Sequence, residues 1–297
     1  AQHLWRYNLH NDASIVVTCA STRLRRLYAY QPTVELDTPT AFVTTWETTT
    51  SSETISLPLV SGGTYDFYVN WGDGSNDIIT AYNQAEVTHT YATADTYTVT
   101  IAGTIEGWRF NNAGDKTKIQ TIESYGSLAI TTDAAFYGCS NLTSTATDAP
   151  TISTTSLART FQSCTNFNGA IGNWDVSSVT NMYFMFNSAT SFNQDIGGWD
   201  VSSVTILEAT IYNADGMSSA NLGAVKDWTI TALTNATNFQ NACTNSMSTS
   251  DYDALLIAWE GQTPNNNVTI HFNAATYTAG GAAEAARTSL TTAVGSG

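Results

Sequence analysis

Residues 161–183 read FQSCTNFNGAIGNWDVSSVTNMY, and from residue 186 the chain reads FNSATSFNQDIGGWDVSSVTILE. Trp174 and Trp199 are 25 residues apart, as are Val176 and Val201, and Val179 and Val204. The period extends both ways: Phe136-Tyr137-Gly138-Cys139 stands one step before Phe161, and Ile211-Tyr212-Asn213-Ala214 one step after Phe186. The next step carries an insertion, with Trp228 29 residues after Trp199 and Phe239 28 after Ile211. A unit this short cannot bury its own apolar face, so successive copies must stack and share one core. WDVSSVT, Trp174–Thr180, is expected to supply the strand of each turn, with neighbouring strands about 4.8 Å apart. Each Phe-x-x-small element is expected to form the opposite wall as a helical or 3₁₀ turn.

These repeats occupy residues 131–247. Beyond them, Tyr252, Leu255, Leu256 and Trp259 fall at helical spacing, as do residues from Ala282 to Leu290. A stack needs an end that blocks further stacking, and residues 248–297 are expected to be that helical C-terminal cap.

Upstream, residues 41–130 alternate apolar and polar positions in short runs and predict several strands. One run, TYDFYVNWGDGS, passes into Gly72-Asp73-Gly74, a turn sequence. Another, HTYATADTYTVTI from His89, sets Tyr97, Val99 and Ile101 on one strand face. Trp71-Gly72-Asp73-Gly74, His89-Thr90-Tyr91 and Tyr97-Thr98-Val99 together resemble the PKD-type (polycystic-kidney-disease) domain in order and spacing, over about 60 residues. Asp95-Thr96 stands where that family has a glycine before the tyrosine. The paired WDVSSVT units resemble the "bacterial surface protein" repeat, a relative of leucine-rich repeats. The fold expected is therefore mainly β: an immunoglobulin-like β-sandwich followed by a short leucine-rich-repeat-like solenoid with a helical cap.

Composition narrows the function. The net charge is −15, only 12% of residues are charged, and only three lysines occur (Lys116, Lys118, Lys226). Nucleic-acid binding needs clustered cations against phosphates, so no such partner is expected. Four of the ten basic residues, Arg6, Arg23, Arg25 and Arg26, lie in residues 1–40, which precede an acidic body. This segment is expected to attach the molecule to a protein partner or larger assembly; a solvated strand face is the alternative reading of its arginines. No run of 18 apolar residues exists, so no membrane span is expected.

Candidate chemistry is sparse. Asp73 between two glycines reads as a turn former rather than a catalytic carboxylate. Asp175 and Asp200 recur at one repeat position, as structural hydrogen bonds or a weak cation ladder. The four histidines are scattered, with no HExxH, no Gly-x-Ser-x-Gly and no phosphate-cradling glycine loop. No catalytic residue, cofactor or metal is assigned, and no enzyme is expected. The cysteines Cys19, Cys139, Cys164 and Cys243 read as buried thiols or as including one structural disulfide; Cys139 and Cys164 stand one repeat apart. Trp174, Trp199 and Trp228 are the one ligand-contact candidate, as a ladder stacking on sugar rings or apolar groups; their other reading is core.

The resemblances imply surface display. The expected function is a non-enzymatic adhesion or recognition protein, or a structural protein of a particle surface, meeting a cell-surface or glycan ligand through its solenoid. Its expected place is extracellular, on a cell surface or on a virion. The alternatives are a viral capsid- or tail-associated decoration protein and a carbohydrate-binding accessory module of a secreted hydrolase.

Overall fold

A computed structural model describes residues 4–8, 14–18, 41–262 and 268–293. The chain divides into two compact units, Ala1–Thr38 and Pro39–Gly297. In the first, β1 (Leu4–Asn8) and β2 (Ser14–Thr18) form an antiparallel hairpin in which Leu4 faces Thr18. Of the arginines assigned to docking, Arg6 lies in β1, and Arg23, Arg25 and Arg26 lie outside the described residues. Cys19 is outside them too.

The second unit is mainly β, with open sheets and few helices. β3 (Phe42–Glu47), β4 (Glu53–Ser56), β5 (Tyr65–Asn70), β6 (Asn76–Ile79), β7 (Thr88–Tyr91) and β8 (Thr96–Glu106) are the short alternating runs of the sequence. In β5 the pattern is complete: Tyr65, Phe67 and Val69 are buried, and Asp66 and Asn70 are exposed. β8 pairs antiparallel with β3 and with β5, while β4 and β7 form a separate antiparallel pair.

The same sheet then changes character. β9 (Ile119–Ser124) lies antiparallel to β3, but β10 (Leu128–Ile130) runs parallel to β8, and β12 (Thr151–Ile152) parallel to β10. β11 (Thr143–Ser144) is likewise parallel to β9. Parallel pairing requires a long return path between strands, and the repeat period supplies it. One connected cluster of buried side chains runs from Phe42 through Phe136, Phe161 and Phe186 to Phe272, without a break at residues 130–131.

Within the repeats, WDVSSVT does not form a strand. Val176 and Val179 are both buried, and a strand would put residues three apart on opposite faces. A tight turn satisfies both: Asp175 Oδ1 accepts the Ser177 N–H at 3.1 Å, and the Val179 N–H donates to the Val176 carbonyl at 2.8 Å. Parallel contact between turns here is a chain of single bridges, Ser156 to Asn181 to Ile206 to Asn235.

The regular ladder lies on the other side, over residues 157–163, 182–188 and 207–213. There, every second N–H donates to a carbonyl of the following turn: Arg159 to Tyr183 (2.9 Å), Phe161 to Met185 (2.9 Å), Phe184 to Glu208 (3.1 Å) and Phe186 to Thr210 (2.8 Å). This wall is a series of turns in which two positions per repeat have left-handed backbone. One series is Ala134, Arg159, Phe184, Ala209 and Asn238; the other is Gly138, Ser163, Ser188, Asn213 and Ala242. The ladder also fixes the register across the insertion. Ile211 donates to Phe239, so Gln240, not Phe239, continues the Phe161–Phe186–Ile211 column, and Gln240 is buried there.

The end of the unit is helical, as its spacing predicts. α1 (Ser219–Gly223) fills the inserted corner, α2 (Thr249–Glu260) buries Leu255, Leu256 and Trp259, and α3 (Ala282–Ala293) packs on α2. Ser248 caps α2 by accepting the Asp251 N–H at 3.2 Å. β13 (Ala236–Gln240) pairs with β14 (Ile270–Phe272), which closes the stack.

Candidate functional site

The cluster around Asp73 brings together three residue types that suggest catalysis. Asp73 Oδ2 lies 2.8 Å from His89 Nε2, and Ser75 Oγ lies 3.3 Å from the same nitrogen. A relay needs the two ring nitrogens to serve different partners, with the serine proton passing to one and the carboxylate holding the other. Here both partners meet Nε2, and the Ser75 hydroxyl donates instead to Asp73 Oδ1 at 2.5 Å. The arrangement organises a turn. Burial tends to raise the Asp73 pKa, but hydrogen bonds from Ser75 and His89 outweigh it and hold the carboxyl below its ordinary value. The His89 ring stacks on Trp71 at 4.9 Å, and the Tyr91 hydroxyl donates to the Trp71 carbonyl at 2.9 Å. Gly72 has φ +85°, and a Cβ there would meet the Thr98 carbonyl oxygen at 2.5 Å. The motif is thus accounted for by packing.

A second polar knot joins Lys118 to Asp115 (2.9 Å) and Glu53 (3.1 Å). Desolvation works against the ammonium, but the two carboxylates dominate and raise its pKa. Glu53 accepts N–H bonds from Thr49 and Thr50 besides its bond from Lys118, and its pKa falls to about 2. A lysine held protonated between ionised carboxylates is an ion pair, not a nucleophile.

The tryptophan ladder is core. Trp174, Trp199 and Trp228 are 3%, 4% and 1% exposed, so they present no stacking face to a ligand. Trp199 Nε1 donates to the Ile171 carbonyl and Trp228 Nε1 to the Ile196 carbonyl, each at 3.0 Å, tying each turn to the one before. Trp174 Nε1 is buried without a partner, and its ring meets Tyr125 edge-on at 5.4 Å. Cys139, Cys164 and Cys243 are buried free thiols; burial pushes all three thiols up in pKa. The Cys164 thiol donates to the Phe136 carbonyl at 3.0 Å. Asp175 and Asp200 cap their own turns through Ser177 and Ser202, which lowers both carboxyl pKa values. Among the described residues no group of three or more His, Cys, Asp or Glu side chains is placed to hold a metal ion, and no helix is long and apolar enough to cross a membrane.

The wall that the Phe-x-x-small elements predict is made of successive turns, with Gln162 donating to Arg159 at 3.2 Å and Cys164 to Phe161 at 3.1 Å; what the sequence did not single out is its outer side. The wall's inward columns are mostly apolar, whereas two adjoining columns change in size and polarity from turn to turn: Ala158, Tyr183, Glu208 and Thr237, and beside it Arg159, Phe184, Ala209 and Asn238, in which the two alanines are buried and the other side chains are half-buried. Arg159, Tyr183, Phe184 and Glu208 are half-buried neighbours on two facing columns. The Arg159 guanidinium lies over the Tyr183 ring at 5.4 Å, and the Tyr183 and Phe184 rings are 4.2 Å apart. Glu208 accepts from Asn235 Nδ2 at 2.7 Å. A bulky residue at positive φ is uncommon, and Phe184 has φ +57°. The period alone misses such positions because it registers recurrence, while these change between successive turns.

Residues 130–252, less than half of the chain, match the model of a family described as "Mycoplasma protein of unknown function, DUF285". No curated protein and no solved structure matches the chain. The matched span holds the repeats and the start of α2, and leaves out β3–β9, on which the first turn is built.

Proposed function

We propose that the chain is a non-enzymatic recognition or structural protein of a cell or particle surface. In this reading residues 41–130 are a PKD-like, immunoglobulin-like sandwich, and residues 131–247 are a leucine-rich-repeat-like solenoid of the bacterial-surface-protein kind. The sandwich serves as spacer and first cap, residues 248–297 as second cap, and residues 1–40 as the attachment segment.

The observation that carries this reading is the division of labour in the wall. Recurring positions hold the stack together, and non-recurring positions display side chains from a backbone fixed by turn-to-turn hydrogen bonds. Rigid display of that kind suits binding, because little side-chain or loop ordering remains to be done on association. The test is localisation: antibodies raised against the chain, applied to intact producing cells or particles and followed by gold labelling, should decorate the outer surface. Labelling that appears only after permeabilisation defeats the reading.

A further inference from the structure

Four observations meet at the middle of the wall. The first is the backbone at Phe184. Left-handed geometry is unfavourable for a residue with a Cβ, and glycine or asparagine fits it best. The equivalent position is Asn in one turn and the minimal Ala in two others, yet here it is Phe, with Arg159 one turn earlier. The ladder imposes this backbone on the whole column, and a large side chain stands here where Ala or Asn serves in other turns. The second is the ring pair: Tyr183 and Phe184, both half-buried, lie 4.2 Å apart and give an apolar platform. The third is the guanidinium of Arg159. Among the described residues it makes no ion pair and no side-chain hydrogen bond, although the other arginine of this region, Arg109, is paired with Asp133 at 3.0 Å. Stacked on Tyr183, its planar edge of N–H donors is left for another molecule. The fourth is that Glu208, across the platform, is already engaged by Asn235 and does not neutralise Arg159.

We infer that Arg159, Tyr183 and Phe184 form a binding site for a protein partner, receiving a segment that carries a carboxylate next to an apolar or aromatic side chain. The guanidinium takes the carboxylate through paired N–H···O bonds, and the two rings take the apolar group. The acidic net charge of the chain does not forbid this, since charges beyond about 8 Å are screened at physiological salt while a stacked, partly desolvated Arg is not. It restricts the site instead: an anion without an apolar neighbour feels the repulsion and gains nothing from the rings.

This inference deepens the recognition reading and rests on it, and its test is separate from localisation. A phage-displayed random peptide library is selected on the immobilised full-length chain, in parallel with Arg159→Gln and Phe184→Asn variants. Asparagine keeps the left-handed backbone while removing the ring, and thermal melts confirm that both variants fold. The expected result is enrichment of peptides with Asp or Glu beside an apolar residue. Their affinity should fall about tenfold or more in each variant, and Arg159→Lys should not restore it, because a lysine lacks the planar fork. Absence of enrichment overturns the proposal, as does enrichment of peptides without a carboxylate or enrichment undiminished in the variants. Selective binding of acidic oligosaccharides on a glycan array, with no peptide enriched, overturns it in favour of a glycan ligand. Surface labelling with a failed selection leaves the recognition reading standing and removes this site; a successful selection with interior labelling does the reverse.

Discussion

The two halves of the core are packed from the same residue types in different geometries. Around Trp108, beside β3, three aromatic pairs meet edge-on: Phe42 and Trp108 at 88°, Trp46 and Trp108 at 71°, Trp108 and Phe110 at 82°. In the phenylalanine columns of the repeats they lie nearly parallel: Phe136 on Phe161 at 5°, Phe161 on Phe186 at 7°, Phe167 on Phe192 at 7°. Translation by one turn copies a ring's orientation together with its position, so identical residues at one period can only stack. A strand sheet folded on itself brings rings together from unrelated directions, and edge-to-face contact then suits their quadrupoles better. Stacked columns are therefore a product of repetition, while the edge-on cluster depends on long-range closure. That closure comes first in the construction: the N–H groups of Phe110, Asn111 and Asn112 bond to the carbonyls of Ala135, Ala134 and Tyr137, and β10 and β11 pair with β8 and β9.

The largest effect should come from separating the halves. A fragment of residues 131–297 loses the strands on which its first turn is laid and exposes one end of the shared cluster, so it should show no cooperative melt by circular dichroism. A fragment that melts sharply would mean that the stack nucleates unaided and that the unbroken core is incidental. Next is Phe161→Ala, which empties the middle of the stacked column and should cost about 3–5 kcal/mol in urea denaturation. Because the core is continuous, fluorescence and far-ultraviolet signals should still report one transition. Two separated transitions would show that the halves unfold independently.

How far was this legible beforehand? The period was, because residue identity recurs at Trp174, Trp199 and Trp228 and at Phe161 and Phe186. The strands of residues 41–130 were, because alternation has a direct cause in strand geometry. WDVSSVT has the apolar content of a strand, but Val176 and Val179 stand three apart and both are buried, which only a turn satisfies. The outer side of the wall is illegible for a different reason. Non-glycine residues do not announce positive φ, and the backbone of Arg159 and Phe184 is imposed by bonds to the neighbouring turns rather than by local preference. The tryptophans could be placed in a column from the period, but whether that column faced water or core depended on the turn's handedness.

A finer probe compares positions within the stack. Trp199→Phe removes one of the two donors to the Ile171 carbonyl and leaves it the Trp174 backbone N–H at 3.1 Å, whereas Trp174→Phe removes an Nε1–H that has no partner. The first should cost about 1 kcal/mol more than the second by chemical denaturation. Equal losses would show that packing alone sets the price at both sites. The smallest expected effect belongs to the β region. Glu53 has its pKa lowered to about 2, so the native state binds fewer protons than the unfolded chain as the pH falls through the carboxylate range. The stability it contributes is present in full above that range and lost as the pH falls towards 2. Glu53→Gln should flatten the acid limb of the stability–pH curve by at most about 1 kcal/mol, and an unchanged limb would show that the knot with Lys118 is idle.

The inserted corner between Met217 and Trp228 has a practical consequence. The turn that contains it is four residues longer than its neighbours, yet its wall donors reach their acceptors at ordinary lengths, Leu207 to Asn235 at 2.7 Å and Asn213 to Asn241 at 3.0 Å. The surplus is taken up by α1 and a short 3₁₀ segment, Ala224–Asp227, while the columns on either side keep their alignment. Chain length is thus uncoupled from register at this corner. An epitope tag or fluorophore attachment sequence placed beside the exposed Asp227 would ride outside the ladder, giving a handle for imaging the molecule without touching the residues it displays.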